Sequence, residues 1–178
     1  MREEAYLEKL VTIGAHSCLS LQLFDGSLIN VAIIDTAGQE KFRSMNNQYL
    51  NKVDGILLVY DITSEDSFEE IKNYYCSDIK EYCKENVKII LVGNKSDLED
   101  IRKIKIEDGA SFAAENGYMF METSCLKNEY VSECFETLIE LCYKENEVVQ
   151  NKAKNYGNKN NRYNNYQKFK ELYKYINF

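Results

Sequence analysis

The chain has 178 residues, 44% of them hydrophobic, which is enough for one ordinary core, since domains typically run to about 100 to 150 residues. Its formal net charge of −7 excludes a general binder of nucleic-acid polymers, a role that needs a summed positive field. No apolar run approaches the roughly 18 residues of a membrane span and no secretory leader pattern opens the chain, so the sequence reads as cytoplasmic.

In chain order, Met1 to Val11 comes first, and Glu3-Glu4-Ala5-Tyr6-Leu7-Glu8-Lys9-Leu10 has helical spacing. Residues 18 to 24 alternate, with Leu19, Leu21 and Leu23 on one face; Asp25-Gly26 then offers turn chemistry, and Ile29 to Ile34 run apolar, which predicts a β-hairpin. Gly55 to Tyr60, Val87 to Val92 and Tyr118 to Met121 have the length and composition of strands covered on both faces. Between them, Phe68, Ile71, Tyr75, Ile79 and Tyr82 follow Ser67 at helical spacing, as do Ile106 to Asn116 ahead of Gly117, and then Val131, Phe135, Leu138 and Cys142. Strand alternates with helix, which predicts an α/β fold: an open, mostly parallel sheet with helices on both faces and one antiparallel edge hairpin. One domain over residues 1–150 is expected, followed by an Asn-, Lys- and Tyr-rich tail over 151–178, poorly ordered for want of branched apolar residues.

The six cysteines contain no C-x-x-C pair and His16 has no cysteine at zinc-ligand spacing, so they read as small hydrophobes in a reducing compartment. Asn94-Lys95-Ser96 matches the glycosylation pattern, a coincidence in a cytosolic chain.

In open α/β sheets the ligand lies outside the carboxyl ends of the strands. Asp35-Thr36-Ala37-Gly38-Gln39-Glu40 follows the apolar run ending at Ile34, and its strand-end acid suits Mg²⁺, held directly or through water. Gly93-Asn94-Lys95-Ser96-Asp97 follows Val92, and Glu122-Thr123-Ser124-Cys125 follows Met121. Three loops therefore converge on one edge.

These stretches resemble the Rab family of small GTPases, which have the P-loop NTPase-like fold. The matching phrases are Thr12-Ile13-Gly14, Ile34 through Phe42-Arg43-Ser44, Val53-Asp54-Gly55 through Asp61-Ile62-Thr63, and Gly93-Asn94-Lys95-Ser96-Asp97-Leu98, in order and at family spacing. The resemblance covers roughly residues 12 to 146. It implies GTP or GDP and Mg²⁺ as ligands, hydrolysis of GTP, and partners comprising an exchange factor, a GTPase-activating protein and effectors. By that resemblance Asp97 accepts from guanine N1 and N2, Asn94 braces the loop and base edge, the Lys95 stem lies along the ring, and the Ser124 and Cys125 backbone meets the base oxygen. Thr12 and Asp35 would attend the metal, the Gly38 amide the γ-phosphate, and Gln39 would orient the attacking water.

The sequence also departs from that pattern. The phosphate loop G-x-x-x-x-G-K-[ST] grips phosphates through glycine-permitted backbone amides and a lysine, and these 178 residues contain no Gly-Lys dipeptide. The fold is therefore expected to be incomplete at its N-terminus, lacking the family's central strand, so that either two buried strand edges are short of a ladder and the sheet closes up differently, or the natural protein has an N-terminus outside this sequence. Leu126 stands where the family usually carries lysine, and the three effector-reading positions hold Ser17, Ile34 and Tyr49. No cysteine follows Cys142 for prenylation; a basic tail with Tyr166, Phe169, Tyr173 and Ile176 at helical spacing is the one feature suited to a membrane surface. Three readings stay open: a Rab-type switch in vesicle transport, a pseudo-GTPase that binds protein partners without turnover, and a truncated gene product.

Overall fold

A computed structural model describes residues 7–10, 17–22, 28–36 and 50–151. Six strands form one sheet: β1 (Leu7–Leu10), β2 (Ser17–Gln22), β3 (Leu28–Thr36), β4 (Gly55–Asp61), β5 (Lys88–Asn94) and β6 (Met119–Thr123), in the order β2-β3-β1-β4-β5-β6. β4, β5 and β6 are parallel, while β1 runs antiparallel to both β3 and β4. β3 therefore points the same way as β4, and only β1 and β2 oppose the other four.

The expected hairpin is present, with Ser17 opposite Ile33 and Gln22 opposite Leu28; its turn at Asp25-Gly26 lies outside the described residues. Two expectations are corrected at the N-terminal end. Leu7 to Leu10 form a strand, not part of a helix, and that strand enters the slot between β3 and β4, so the two inner edges do not go without a ladder there. The physical reason is competition for the same backbone. A short isolated helix is marginal in water, whereas an open slot between two apolar strands offers ladder bonds on both sides and removes the cost of unmet buried N–H and C=O groups. The repair is partial, because β1 reaches only Gly55 to Leu58 of β4 and Ile33 to Thr36 of β3.

Helices cover both faces. Helix α1 (Glu65–Glu70), a π turn (Ile71–Tyr75) and α2 (Cys76–Tyr82) follow one another without a break. The Ser64 hydroxyl caps α1 by accepting from the Ser67 amide at 3.3 Å. Helix α3 (Ile106–Asn116) ends at Gly117, where φ is 73°. There the Gly117 amide donates to the Ala114 carbonyl at 3.2 Å and the Tyr118 amide to Ala113 at 2.8 Å. This double bond closes the last turn and favours glycine, which enters the left-handed region without a side-chain penalty. Helix α4 (Val131–Asn151) completes the set.

Period-two alternation divides the sheet between two cores. Ile56, Leu58, Tyr60, Ile89 and Leu91 face Phe68, Ile71, Cys76, Ile79 and Ala113. Leu57, Val59, Ile90 and Val92 face Val131, Cys134, Phe135, Leu138 and Ile139 of α4. Every residue of β4 is buried, which explains why it reads as a continuous apolar run. Gly55 lets α4 approach closely: a Cβ there would stand 2.7 Å from the Cys142 sulfur and 2.9 Å from Leu138 Cγ. Burial pushes the Cys142 thiol up to about 12, so it stays protonated as a core hydrophobe.

Tyr130 begins α4 in a costly conformation. Its carbonyl accepts the first helical bond, from the Cys134 amide at 3.0 Å, while its φ is +59° and its ring is 61% exposed. A bulky residue there costs roughly 1–2 kcal/mol, whereas asparagine tolerates that region and suits a helix start. Tyr130→Asn is expected to stabilise the chain by about 1 kcal/mol, raising Tm by roughly 2–4 °C in thermal unfolding. An unchanged or lower Tm would show that the ring is held by packing.

Candidate functional site

The three parallel strands end flush. Asp61 of β4 lies beside Asn94 of β5, and Asn94 beside Thr123 of β6. Equal strand ends present successive loops at one level, and two of the three loops anticipated from sequence meet here.

The first runs from Asn94 into a 3₁₀ turn, Ser96–Ile101, which presents Asp97. Lys95 takes φ +67° and ψ +37°, reversing the chain at once beyond the strand. The second runs from Thr123 through Ser124 and Cys125 and is pinned by an antiparallel bridge between Ser124 and Glu129. Side chains join the two. The Ser124 hydroxyl donates to Asp97 Oδ1 at 2.5 Å and accepts from the Lys127 amide at 3.0 Å. Asn94 Oδ1 accepts from the Thr123 hydroxyl and the Cys125 amide, each at 3.3 Å. Asn94 thus spends its acceptor on the neighbouring loop, which orients its amide nitrogen as the group left to donate outward. Asp97 has one carboxylate oxygen fixed by Ser124, which sets the plane of the other.

Lys95 is held as well. Its ammonium pairs with Asp61 Oδ2 at 3.0 Å, and Asp61 is buried. The other Asp61 oxygen accepts from both the amide and the hydroxyl of Thr63, each at 2.8 Å. Two hydrogen bonds on one oxygen and an ion pair at the other compensate the burial of the carboxylate charge.

One residue absent from the sequence reading also joins the loops. Arg102 follows the 3₁₀ turn and grips Glu122 with two nitrogens, at 2.7 and 2.8 Å. Fixed by Glu99 and Glu122, the guanidinium is held even more firmly protonated than an ordinary arginine, and Arg102 in turn holds the exposed Glu99 carboxyl below its usual range. A shallow cleft lies beneath the loops, lined by Val59, Val92, Asn94, Thr123, Cys125 and Cys134.

Of the sequence-predicted residues, Asn94, Lys95, Asp97, Ser124 and Cys125 are brought together. Asp35 lies in the last turn of the β3 ladder, its backbone opposite Glu8. Thr12, Gly38, Gln39, Tyr49 and the tail beyond Asn151 lie outside the described residues. Among the described residues no group of three or more His, Cys, Asp or Glu is arranged to hold a metal, and no helix is long and apolar enough to cross a membrane. Asp61, Arg102 and Glu122 were not singled out from sequence, although Asp61 and Glu122 both follow apolar runs at strand ends, which is the signal that drew attention to Asp35.

The site thus gathers a fixed carboxylate, a donor amide and a lysine at the ends of parallel strands. The Ras family model matches residues 2–144. Ras-related protein RABA5b of Arabidopsis thaliana is 41% identical over 138 residues, covering 78% of this chain and 63% of that protein. GTP-binding protein ypt2 of Schizosaccharomyces pombe is 38% identical over 149 residues, covering 84% of this chain and 74% of that protein. GTP-binding protein ypt3 of the same yeast is 35% identical over 152 residues, covering 85% and 69%. The chain belongs to the Ras family of small GTPases, in its Rab branch. The match to RABA5b spans less than two thirds of that protein's length.

Proposed function

We propose that this chain belongs to a Rab-type guanine-nucleotide switch protein of vesicle-mediated transport, with residues 94–97 and 124–125 forming the part that reads the base. The observation that carries the reading is the cross-linked pair of loops: Asp97 fixed by Ser124 at 2.5 Å, and Asn94 fixed by Thr123 and Cys125.

The fit to a guanine base follows from the donor set. Guanine presents two adjacent N–H donors, at N1 and N2, to a carboxylate; adenine presents an acceptor at N1, so the same carboxylate repels it. Asp97 supplies the carboxylate, Asn94 an amide donor to the base edge, Lys95 an aliphatic stem along the ring, and the Ser124 and Cys125 backbone a contact to the base oxygen. Asp35 and Thr12 are assigned to Mg²⁺, Gly38 to the γ-phosphate and Gln39 to the attacking water, on the family pattern. When bound, the metal would neutralise phosphate charge; the chain's own contribution there is a carboxylate at a strand end. Exchange factors, activating proteins and effectors are partners by the same reading.

A second reading has one observation in its favour. β1 occupies the central slot, so the sheet closes without a phosphate-loop strand, as a protein-binding module without turnover requires. The two separate on guanosine binding. Base contacts alone give about −4 kcal/mol, or millimolar affinity. By calorimetry with Mg²⁺, these 178 residues, which contain no phosphate loop, are expected to bind guanosine, GDP and GTP within about threefold of one another, since most of the charge interaction comes from that loop. Sub-micromolar GTP binding would overturn this account of the phosphate site. Absence of any guanosine binding would favour the module without turnover.

A further inference from the structure

We propose that Arg102 is a positioning residue that sets guanine selectivity without touching the base, by clamping the loop that carries Asp97 to Glu122 of β6, the strand that leads into Ser124. The proposal rests on the guanine-reading role of Asp97 given above.

Arg102 stands five positions after Asp97, and Glu122 two positions before Ser124. Its Nη1 donates to Glu122 Oε1 at 2.7 Å and Nη2 to Oε2 at 2.8 Å, a planar two-point contact. Nη1 also reaches the Ile104 carbonyl at 3.0 Å, while Nε donates to Glu99 at 2.8 Å and Nη2 lies 2.7 Å from the same carboxylate. A guanidinium has five N–H donors, and five contacts meet them. The side chain is only 10% exposed and that of Glu122 only 16%, so solvent screens this pair far less than a surface bridge.

Geometry makes this the firmest link between the loops. Two of the other three, those at Asn94, are 3.3 Å long. The third, Ser124 to Asp97, uses the very carboxylate that must be aimed at the ligand. Selectivity between guanine and a base lacking the 2-amino group depends on both Asp97 oxygens lying in the base plane, because a tilted carboxylate still reaches N1 but loses N2. A clamp outside the contact set can hold that plane. Lysine cannot replace it, since an ammonium is a point charge with no fork.

The test uses the full chain with Arg102→Lys and Glu122→Gln, which keep the stems and most of the packing. Guanosine and inosine, which differ by the 2-amino group, are titrated by NMR. Wild type is expected to prefer guanosine about tenfold, the effect of one hydrogen bond to a charged acceptor, and both variants to fall to about twofold with a smaller change in inosine affinity. A preference unchanged in both variants overturns the proposal. A wild type that binds guanosine and inosine equally, or neither, overturns the base reading and with it the selectivity role. Amide exchange without ligand then decides the clamp itself. The Cys125 and Lys127 amides, held by Asn94 and Ser124, are expected to exchange about tenfold faster in the variants, while those of Ile90 and Leu91 in β5 change by less than about twofold, since local opening is independent of global stability. Equal acceleration everywhere would show Arg102 to be a general stabilising residue and would contradict the proposal.

Discussion

Replacing Gly109 by alanine is expected to cost about 2–3 kcal/mol of unfolding free energy, although alanine is the better helix former by about 1 kcal/mol. The opposition is steric. Gly109 is buried in the first turn of α3, and a Cβ there would stand 2.5 Å from the Tyr60 hydroxyl oxygen and 2.8 Å from Phe120 Cε2. Tyr60 cannot yield, being 1% exposed, with its ring 4.8 Å from that of Phe68, which meets Phe112 edge-on at 5.5 Å. Closely packed interiors resolve such overlaps only by off-rotamer side chains or backbone shifts.

The same hydroxyl has no hydrogen-bond partner among the described residues, and burial holds the phenol well above its ordinary pKa. An unmade buried hydrogen bond costs about 1–3 kcal/mol, so Tyr60→Phe alone is expected to be neutral or to stabilise by up to about 1 kcal/mol. In Gly109→Ala/Tyr60→Phe the closest overlap disappears, and the double variant should regain at least about 1 kcal/mol beyond additivity. Urea unfolding of the four proteins in the cycle measures this. Strict additivity would mean that the Phe120 edge, not the hydroxyl, carries the clash.

Asp97→Ala is the variant expected to cost most in ligand recognition. Each hydrogen bond to a charged acceptor contributes about 1.5–3 kcal/mol, so losing two lowers guanosine affinity by at least about 100-fold, to below detection from a millimolar start. Ser124→Ala removes the hydroxyl that donates to Asp97 at 2.5 Å and accepts from the Lys127 amide at 3.0 Å but leaves the Asp97 carboxylate, and a loss of about five- to tenfold is expected there, the effect of one ordinary hydrogen bond. Stability should barely change in Asp97→Ala, because the 3₁₀ turn that carries Asp97 contributes no buried residue to the core. Circular dichroism with a guanosine titration separates the outcomes. Equal losses for the two variants would show that Ser124 contacts the ligand itself.

Sequence periodicity anticipated most of the architecture because the cores are simple. α3 is bounded by the same residues, Ile106 and Asn116, that the pattern marked, since an amphipathic helix stopped by Gly117 leaves little choice. β4 and β5 were legible as short apolar runs because both their faces are covered, whereas β6, expected to be covered likewise, is only partly buried and leaves Met119 exposed. The π turn at Ile71–Tyr75 was not legible, since one extra residue in a turn hardly disturbs the spacing of Phe68, Ile71, Tyr75 and Ile79. β1 was misread because Leu7 and Leu10 satisfy a helical interval over a segment too short to decide, and its state is set by the strands on either side.

At the site, Asn94, Lys95, Asp97, Ser124 and Cys125 were picked out because they stand at or just beyond strand ends, and the Rab resemblance supplied their roles. The supports were not. The Asp61–Lys95 and Arg102–Glu122 pairs join residues 34 and 20 positions apart, and no local pattern states which acid a distant base will meet. Such supports become visible only once strand register places Asp61, Asn94 and Thr123 in one row.

The most direct measurement of the central claim, that residues 94–97 and 124–125 read the base, is an amide-resolved NMR titration of the full chain with guanosine and with adenosine. The account predicts saturable shifts confined to Asn94–Asp97 and Ser124–Lys127 with guanosine, at a millimolar midpoint, and none with adenosine. Equal shifts with both nucleosides, or none with guanosine while GTP binds, would contradict it.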